Sequence, residues 1–203
     1  MITPRIRTAD ARDLDALYDV CLRTGDAGND GAHLFDDPRL LGEIYVGPYV
    51  MLSSAFAYAA VDEGKPSGYV LGTLDTRLFE AECETAWWPD LRSRHVDPAS
   101  NPATPDDELI AEIYRPQLAS DAVVKRFPAN FHIDLLPAIQ GKGIGSLMMD
   151  QLFSVLRAGD SPGVHMDVAT RNDRAVGFYE HLGFSVVESH NDSVIMGKRL
   201  NTL

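Results

Sequence analysis

Gln140, Gly141, Lys142, Gly143, Ile144 and Gly145 carry the spacing with the most chemical content in this 203-residue chain. An apolar run ending in Leu135-Leu136-Pro137 precedes them and a run with helical periodicity follows. The pattern predicts a strand, a glycine turn and a helix between Phe131 and Leu156. A helix start of this kind leaves backbone N–H groups unpaired and aims them, with the helix dipole, beyond the end of the strand. That is an anion site, most often for phosphate. A dinucleotide fingerprint would need glycine at Ser146, and a P-loop would need glycine at Leu136 and Ser or Thr at Gly143, so both spacings fail. Close helix-sheet packing also asks for glycine, so the turn alone does not name its ligand.

His132 and Asp134 precede the turn on the same strand, and period-two alternation puts them on one face. They are the nearest titratable side chains to whatever the turn holds, either as proton acceptors or as hydrogen-bonding groups that shape the cleft. The other histidines, His33, His95, His165, His181 and His190, have no metal-ligand spacing, and no metal is expected. Cys21 and Cys83 fall in helical segments outside any C-x-x-C pair, which reads as reduced packing residues. G-x-S-x-G is absent from the sequence.

The positioning elements read as follows. Arg5 to Arg7 is a short strand, with Thr8 or Asp10 able to cap the next helix. Leu14, Leu17, Tyr18, Cys21 and Leu22 make that helix's apolar stripe. Gly25 to Pro38 is a glycine-rich loop with Asp26, Asp30, Asp36 and Asp37 and no Lys or Arg. It is either a solvated loop or an acidic rim for a cationic substrate. Pro38 to Tyr45 predicts a second helix. Ser53 to Val61 and Ser67 to Asp75 predict an antiparallel hairpin about Asp62 to Pro66. Leu78 to Pro89 reads as a helix carrying Trp87 and Trp88, which serve as core, lid or substrate-facing residues. A proline-rich irregular stretch follows, then a short helix from Glu108 to Tyr114. Beyond the glycine turn come a strand at Val164 to Ala169, a helix from Asn172 ending at Gly183, and strands at Phe184 to Glu188 and Val194 to Gly197. This order suits an α+β, or mixed α/β, domain whose central sheet is covered by helices, and residues 1–203 read as one domain.

About thirty residues past the turn stands a second motif, Asn172-Asp173-Arg174-Ala175-Val176-Gly177-Phe178-Tyr179-Glu180-His181-Leu182-Gly183-Phe184. The pair, P-x-x-Q-G-x-G-x-G after a strand and then N-x-x-A-x-x-F-Y-x-x-x-G-F, resembles the GNAT superfamily of N-acetyltransferases from His132 to Phe184. The tryptophan-containing segment and its insertion further resemble the acetyltransferase-like domain of O-GlcNAcase and its free-standing bacterial relatives. The resemblance implies a central, mostly antiparallel sheet splayed in the middle, with a helical or irregular insertion around residues 76–120. It implies acetyl-coenzyme A as co-substrate, its pyrophosphate on the backbone of Gly141 to Ser146, by way of Lys142, Gly143, Ile144 and Gly145. Leu135 and Leu136 would border the pantetheine arm, Asn172 would bond to the arm or phosphates, and Ala175 and Phe178 would pack beside it. Tyr179 would be the general acid at the coenzyme sulfur, with a backbone N–H near Leu135 as oxyanion donor. Amine acetylation needs a neutral amine, and an alkyl ammonium has a reference pKa of about 10.4. Asp134 is therefore the first candidate base and His132 the second.

Composition bounds the partner. A net charge of −12 opposes nucleic acid and anionic membranes. The expected acceptor is a small-molecule or protein amine, weakly favoured to be cationic, with Asp26, Asp30, Trp87 and Trp88 as candidate contacts. The N-terminus has no apolar run after its charges, which predicts a cytoplasmic protein. Homodimers are common in the superfamily. The alternative to an active enzyme is a non-catalytic acetyl-coenzyme A binding or protein-interaction module.

Overall fold

In a computed structural model, residues 4–99 and 101–200 are described. Seven strands form one sheet: β1 (Arg5–Thr8), β2 (Ala57–Asp62), β3 (Lys65–Thr73), β4 (Ala129–Leu135), β5 (Gly163–Ala169), β6 (Ser185–Ser189) and β7 (Ser193–Arg199). Their order is β1-β2-β3-β4-β5-β7-β6, and every neighbouring pair is antiparallel except β4 and β5. That parallel pair is registered only at Ala129–Val164 and Asn130–His165. Beyond it, Phe131 to Leu135 pair with β3 alone, and Met166 to Ala169 with β7 alone. The sheet therefore opens into a V at its centre, as the resemblance implied.

The helices are α1 (Leu14–Leu22), α2 (Leu40–Tyr45), α3 (Gly47–Leu52), α4 (Thr76–Ala86), α5 (Trp88–Arg94), α6 (Pro105–Tyr114), α7 (Asp121–Arg126), α8 (Ile144–Ala158) and α9 (Asp173–His181). Alternation along the strands divides the core in two. Tyr69 and Leu71 face a cluster with Leu17, Leu40 and Ile113 from α1, α2 and α6. Val70 and Phe131 face the other, with Met148, Leu152 and Leu156 of α8. His132, Asp134, His165 and Asp167 lie on the first of these two faces, because Phe131, Val164, Met166 and Val168 all belong to the second cluster.

Local chemistry explains most boundaries. Asp10 forms a capping box with Asp13, and Thr104 does the same with Asp107 at the start of α6. The insertion is more regular than its prolines suggest: α4, α5 and α6 occupy most of residues 76–114, with Pro89 and Pro105 in first helical turns, where a missing N–H costs nothing. The tryptophans sit at the break between α4 and α5. Three helices escape the sequence reading, α5 because the expected helix stops at Pro89. Six-residue α3 and α7 are too short for periodicity to declare, and they are held by packing of Tyr49 and Val50, and of Val123 and Val124.

Candidate active site

The glycine turn is built for an open backbone. Gly141 and Gly143 have φ of +69° and +77°, a region that L side chains avoid, and a Cβ added at either would meet nothing within 4 Å. Gly143 is the N-cap of α8 and supplies no side-chain cap. The first N–H groups of a 15-residue helix thus face the cleft without a partner from that cap. Gln140 braces the turn: its Nε2 donates to the Leu135 carbonyl at 2.6 Å and its Oε1 accepts from Arg174. Lys142 Nζ donates to the Ala138 carbonyl at 2.6 Å, which leaves its charge beside the turn.

From the turn a cleft of about 930 Å³ runs into the V. Its lining includes Gln140, Gly141, Gly143, Gly145 and Ser146 from the turn and α8, and Asn172, Ala175, Phe178 and Tyr179 from the start and body of α9. The Ile144 side chain is in the core, so only its backbone is available. Asn172 is the N-cap of α9, its Oδ1 accepting from Ala175 N–H at 3.1 Å, so its amide NH2 is the part free to bond elsewhere. Leu135 lines the cleft, although Gln140 holds its carbonyl. Leu136 turns away. Its N–H donates to the Ser67 carbonyl at 2.8 Å and its side chain is buried in the core, so it offers the cleft no N–H.

Tyr179 is 5% exposed and packs edge-on against Phe131 and Phe184, at ring distances of 5.9 and 5.7 Å. Burial, with Asp134's charge nearby, raises its pKa, so the phenol keeps its proton. Asp134 accepts the Tyr69 hydroxyl proton in a 2.5 Å hydrogen bond. Burial pushes its carboxyl up to about 6 while the bond from Tyr69 opposes the rise. His132 contacts the rings of Tyr45 and Tyr49, at 5.8 and 5.2 Å. Burial first, and His165 second, push it down to about 4, so it is neutral at pH 7.

A second cavity, of about 750 Å³, opens beneath α2, α3, α4 and α6. Tyr45, Phe131, His132, Met166 and Asp167 line both cavities, so the two meet at the V. Of the residues singled out in the sequence, Trp88 and His132 line this cavity, and nothing marked the rest of it. It is assembled from Glu80, Trp88, Glu112 and His165, which no local spacing connects.

The remaining expected contacts divide. Trp88 lines the second cavity, whereas Trp87 lines neither and donates its indole N–H to the Glu43 carbonyl at 2.8 Å. Asp26 pairs with Arg171 at 2.6 Å across the cleft. Asp30 is exposed, accepts from Ala32 N–H and lines neither cavity. The loop does border the first cleft through Ala27, Gly28 and Asn29, but the charge of Asp26 next to them is neutralised by Arg171. Cys21 and Cys83 are free and buried.

A sheet opened by a two-residue parallel contact, with a glycine turn and an unblocked helix start at its mouth, defines an acetyltransferase architecture. Residues 106–184 match the acetyltransferase (GNAT) family. The chain is similar to a crystal structure of SsHAT, at 33% identity and a TM-score of 0.93, covering 98% of this chain and 100% of that one. It is also similar to the O-GlcNAcases of Rattus norvegicus and Mus musculus, each 26% identical over 201 residues. Those matches cover 96% of this chain but 22% of the relatives, so the chain spans about a fifth of their length. The fold is shared with PaiA N-acetyltransferase of Thermoplasma acidophilum, solved with coenzyme A, at 13% identity and a TM-score of 0.58 over 98% of this chain and 99% of that one. The chain belongs to the acetyltransferase (GNAT) family.

Proposed function

We propose that the protein is an acetyl-coenzyme A-dependent N-acetyltransferase that transfers the acetyl group directly to an amine. The observation that carries this reading is the continuity of the open glycine turn at Gly141 and Gly143 with the V between β4 and β5. Backbone N–H groups from Gly141 to Ser146 would hold the pyrophosphate, helped by the helix dipole by roughly 0.3–1 kcal/mol. The unpaired edge of β4 beyond Asn130 suits an extended amide-bearing arm, which would lie there like an added strand. When bound, acetyl-coenzyme A supplies the activated acetyl thioester. A backbone N–H near Leu135 would stabilise negative charge on the carbonyl oxygen.

Two side chains then manage protons. Tyr179 holds its phenol proton at the cleft, ready for a departing thiolate. Asp134, with a carboxyl near 6, is the proton acceptor best matched to neutral pH. His132 is neutral and lines both cavities, so it is the alternative acceptor and a wall between the two compartments.

Titration calorimetry with acetyl-coenzyme A tests the first link, and a dissociation constant weaker than about 1 mM sinks the reading. An amine screen that follows release of the coenzyme thiol tests the second. Tight coenzyme binding with no release from any amine would support the alternative, a binding or interaction module. The resemblance to part of O-GlcNAcase keeps that alternative in view.

A further inference from the structure

The second cavity is chemically specialised on the face away from the glycine turn. His165 sits at the apex of the V, in the last registered pair of β4 and β5, and is only 4% exposed. Its Nδ1 lies 2.7 Å from the Phe127 carbonyl oxygen. A carbonyl only accepts, so Nδ1 carries the proton and Nε2 presents a lone pair. The ring lines the second cavity, where Nε2 makes no hydrogen bond among the described residues and is open to the cavity's solvent. It therefore asks for a donor from the cavity.

Two carboxylates flank the same space. Glu112, delivered by α6, accepts the Tyr45 hydroxyl proton at 2.6 Å, and Asp167 accepts from the Ser193 hydroxyl at 3.3 Å. Neither has a cationic side-chain partner among the described residues. The cavity's arginine, Arg77, is already held by Glu80 at 2.7 Å and Asp121 at 2.6 Å. The lining is also aromatic, with Tyr49 and Phe79 in tilted contact at 4.3 Å between ring centroids and Trp88 in the same cavity. An acceptor lone pair and two carboxyl groups without an ion-pair partner, in a cavity also lined by aromatic rings, match a cation on an apolar body. A volume of about 750 Å³ suits a small molecule.

We propose that this cavity takes the acceptor, that the acceptor is a small primary alkylamine with an apolar or aromatic body, and that His165 Nε2, Glu112 and Asp167 receive its ammonium. The proposal rests on the acetyltransferase reading, since it assigns the amine of that reaction. It also explains why the insertion is part of the site: α6 brings Glu112 to the edge of the V. These three groups recognise the ammonium. Loss of its proton to His132 at the junction, or to Asp134 in the adjoining cleft, leaves the lone pair that attacks.

The test measures binding of 2-phenylethylamine to the full chain by calorimetry, with and without acetyl-coenzyme A, beside the uncharged isostere 2-phenylethanol and a lysine-containing pentapeptide. Expected results are binding of the amine, at least tenfold weaker binding of the alcohol, and a loss of roughly tenfold or more for the amine in Glu112→Gln. Glu112 lines only the second cavity, so coenzyme affinity in that variant should match the parent. Asp167→Asn, checked by circular dichroism, provides a second variant with the same expected loss for the amine. Equal binding of amine and alcohol, or an amine affinity untouched by both variants, overturns the assignment. Preference for the pentapeptide over the free amine overturns its small-molecule part. Failure to bind acetyl-coenzyme A while the amine still binds would instead strike the acetyltransferase reading, so the two failures are told apart.

Discussion

Asp134 and Tyr179 ask opposite things of the same cleft, one able to take a proton and the other to keep one. Asp134→Asn retains an oxygen for the Tyr69 hydroxyl but cannot take a proton, so turnover should fall roughly tenfold or more with little change in coenzyme affinity. In the parent the rate should fall as pH drops through about 6, and this limb should vanish from the variant's residual activity. The sign for stability is opposite. The folded carboxyl is raised from 3.8, so its contribution is complete below that value and is lost as pH rises through about 6. Denaturant titration at pH 7.5 should therefore find Asp134→Asn at least as stable as the parent. Unchanged steady-state kinetics would remove Asp134 as the base. Tyr179→Phe keeps the ring contacts with Phe131 and Phe184 but loses the phenol proton, so kcat should fall by about 10²-fold with an unaltered melting temperature. At this scale the sequence spoke clearly for residues inside one motif. It was silent on His165 and Glu112, whose roles come from neighbours far along the chain.

At the scale of elements, the turn between β4 and α8 is where sequence and structure agree most closely. The strand and helix ends lie within two residues of their expected places, because glycine, proline and apolar period act locally there. Gly143→Val should test the element directly. A β-branched residue at φ +77° is strained by roughly 1–2 kcal/mol and obstructs the helix start. Acetyl-coenzyme A affinity should drop about tenfold or more, while far-ultraviolet circular dichroism stays that of the parent. Retained affinity would argue that the phosphates lie elsewhere. The insertion was less legible. Prolines that suggested irregularity are helix starters here, and six-residue α3 and α7 depend on burial rather than propensity.

For the whole molecule, the V matters because a ligand lying in it would touch both halves of the sheet, which are otherwise joined by two registered residue pairs. Binding to the folded state alone stabilises it by about 2.7 kcal/mol at a hundredfold excess over the dissociation constant. For a chain of this length that is a rise of roughly 5–10 °C in melting temperature. Differential scanning fluorimetry with acetyl-coenzyme A should show a shift of this size, and pantetheine, which lacks the pyrophosphate, should show much less. No shift at saturating coenzyme would count against the cleft as its site.

The chain's own order of residues determined the glycine turn, the Asn172 to Phe184 motif, the shared face of His132 and Asp134, and the mixed fold around them. Each of these is set by contacts a few residues apart or by strand and helix period. Only the tertiary structure decided how far β4 and β5 stay together, that Arg171 neutralises Asp26, that Trp88 enters a cavity while Trp87 does not, and that Glu112 and His165 share that cavity. These depend on packing between segments up to 145 positions apart, which no local pattern records.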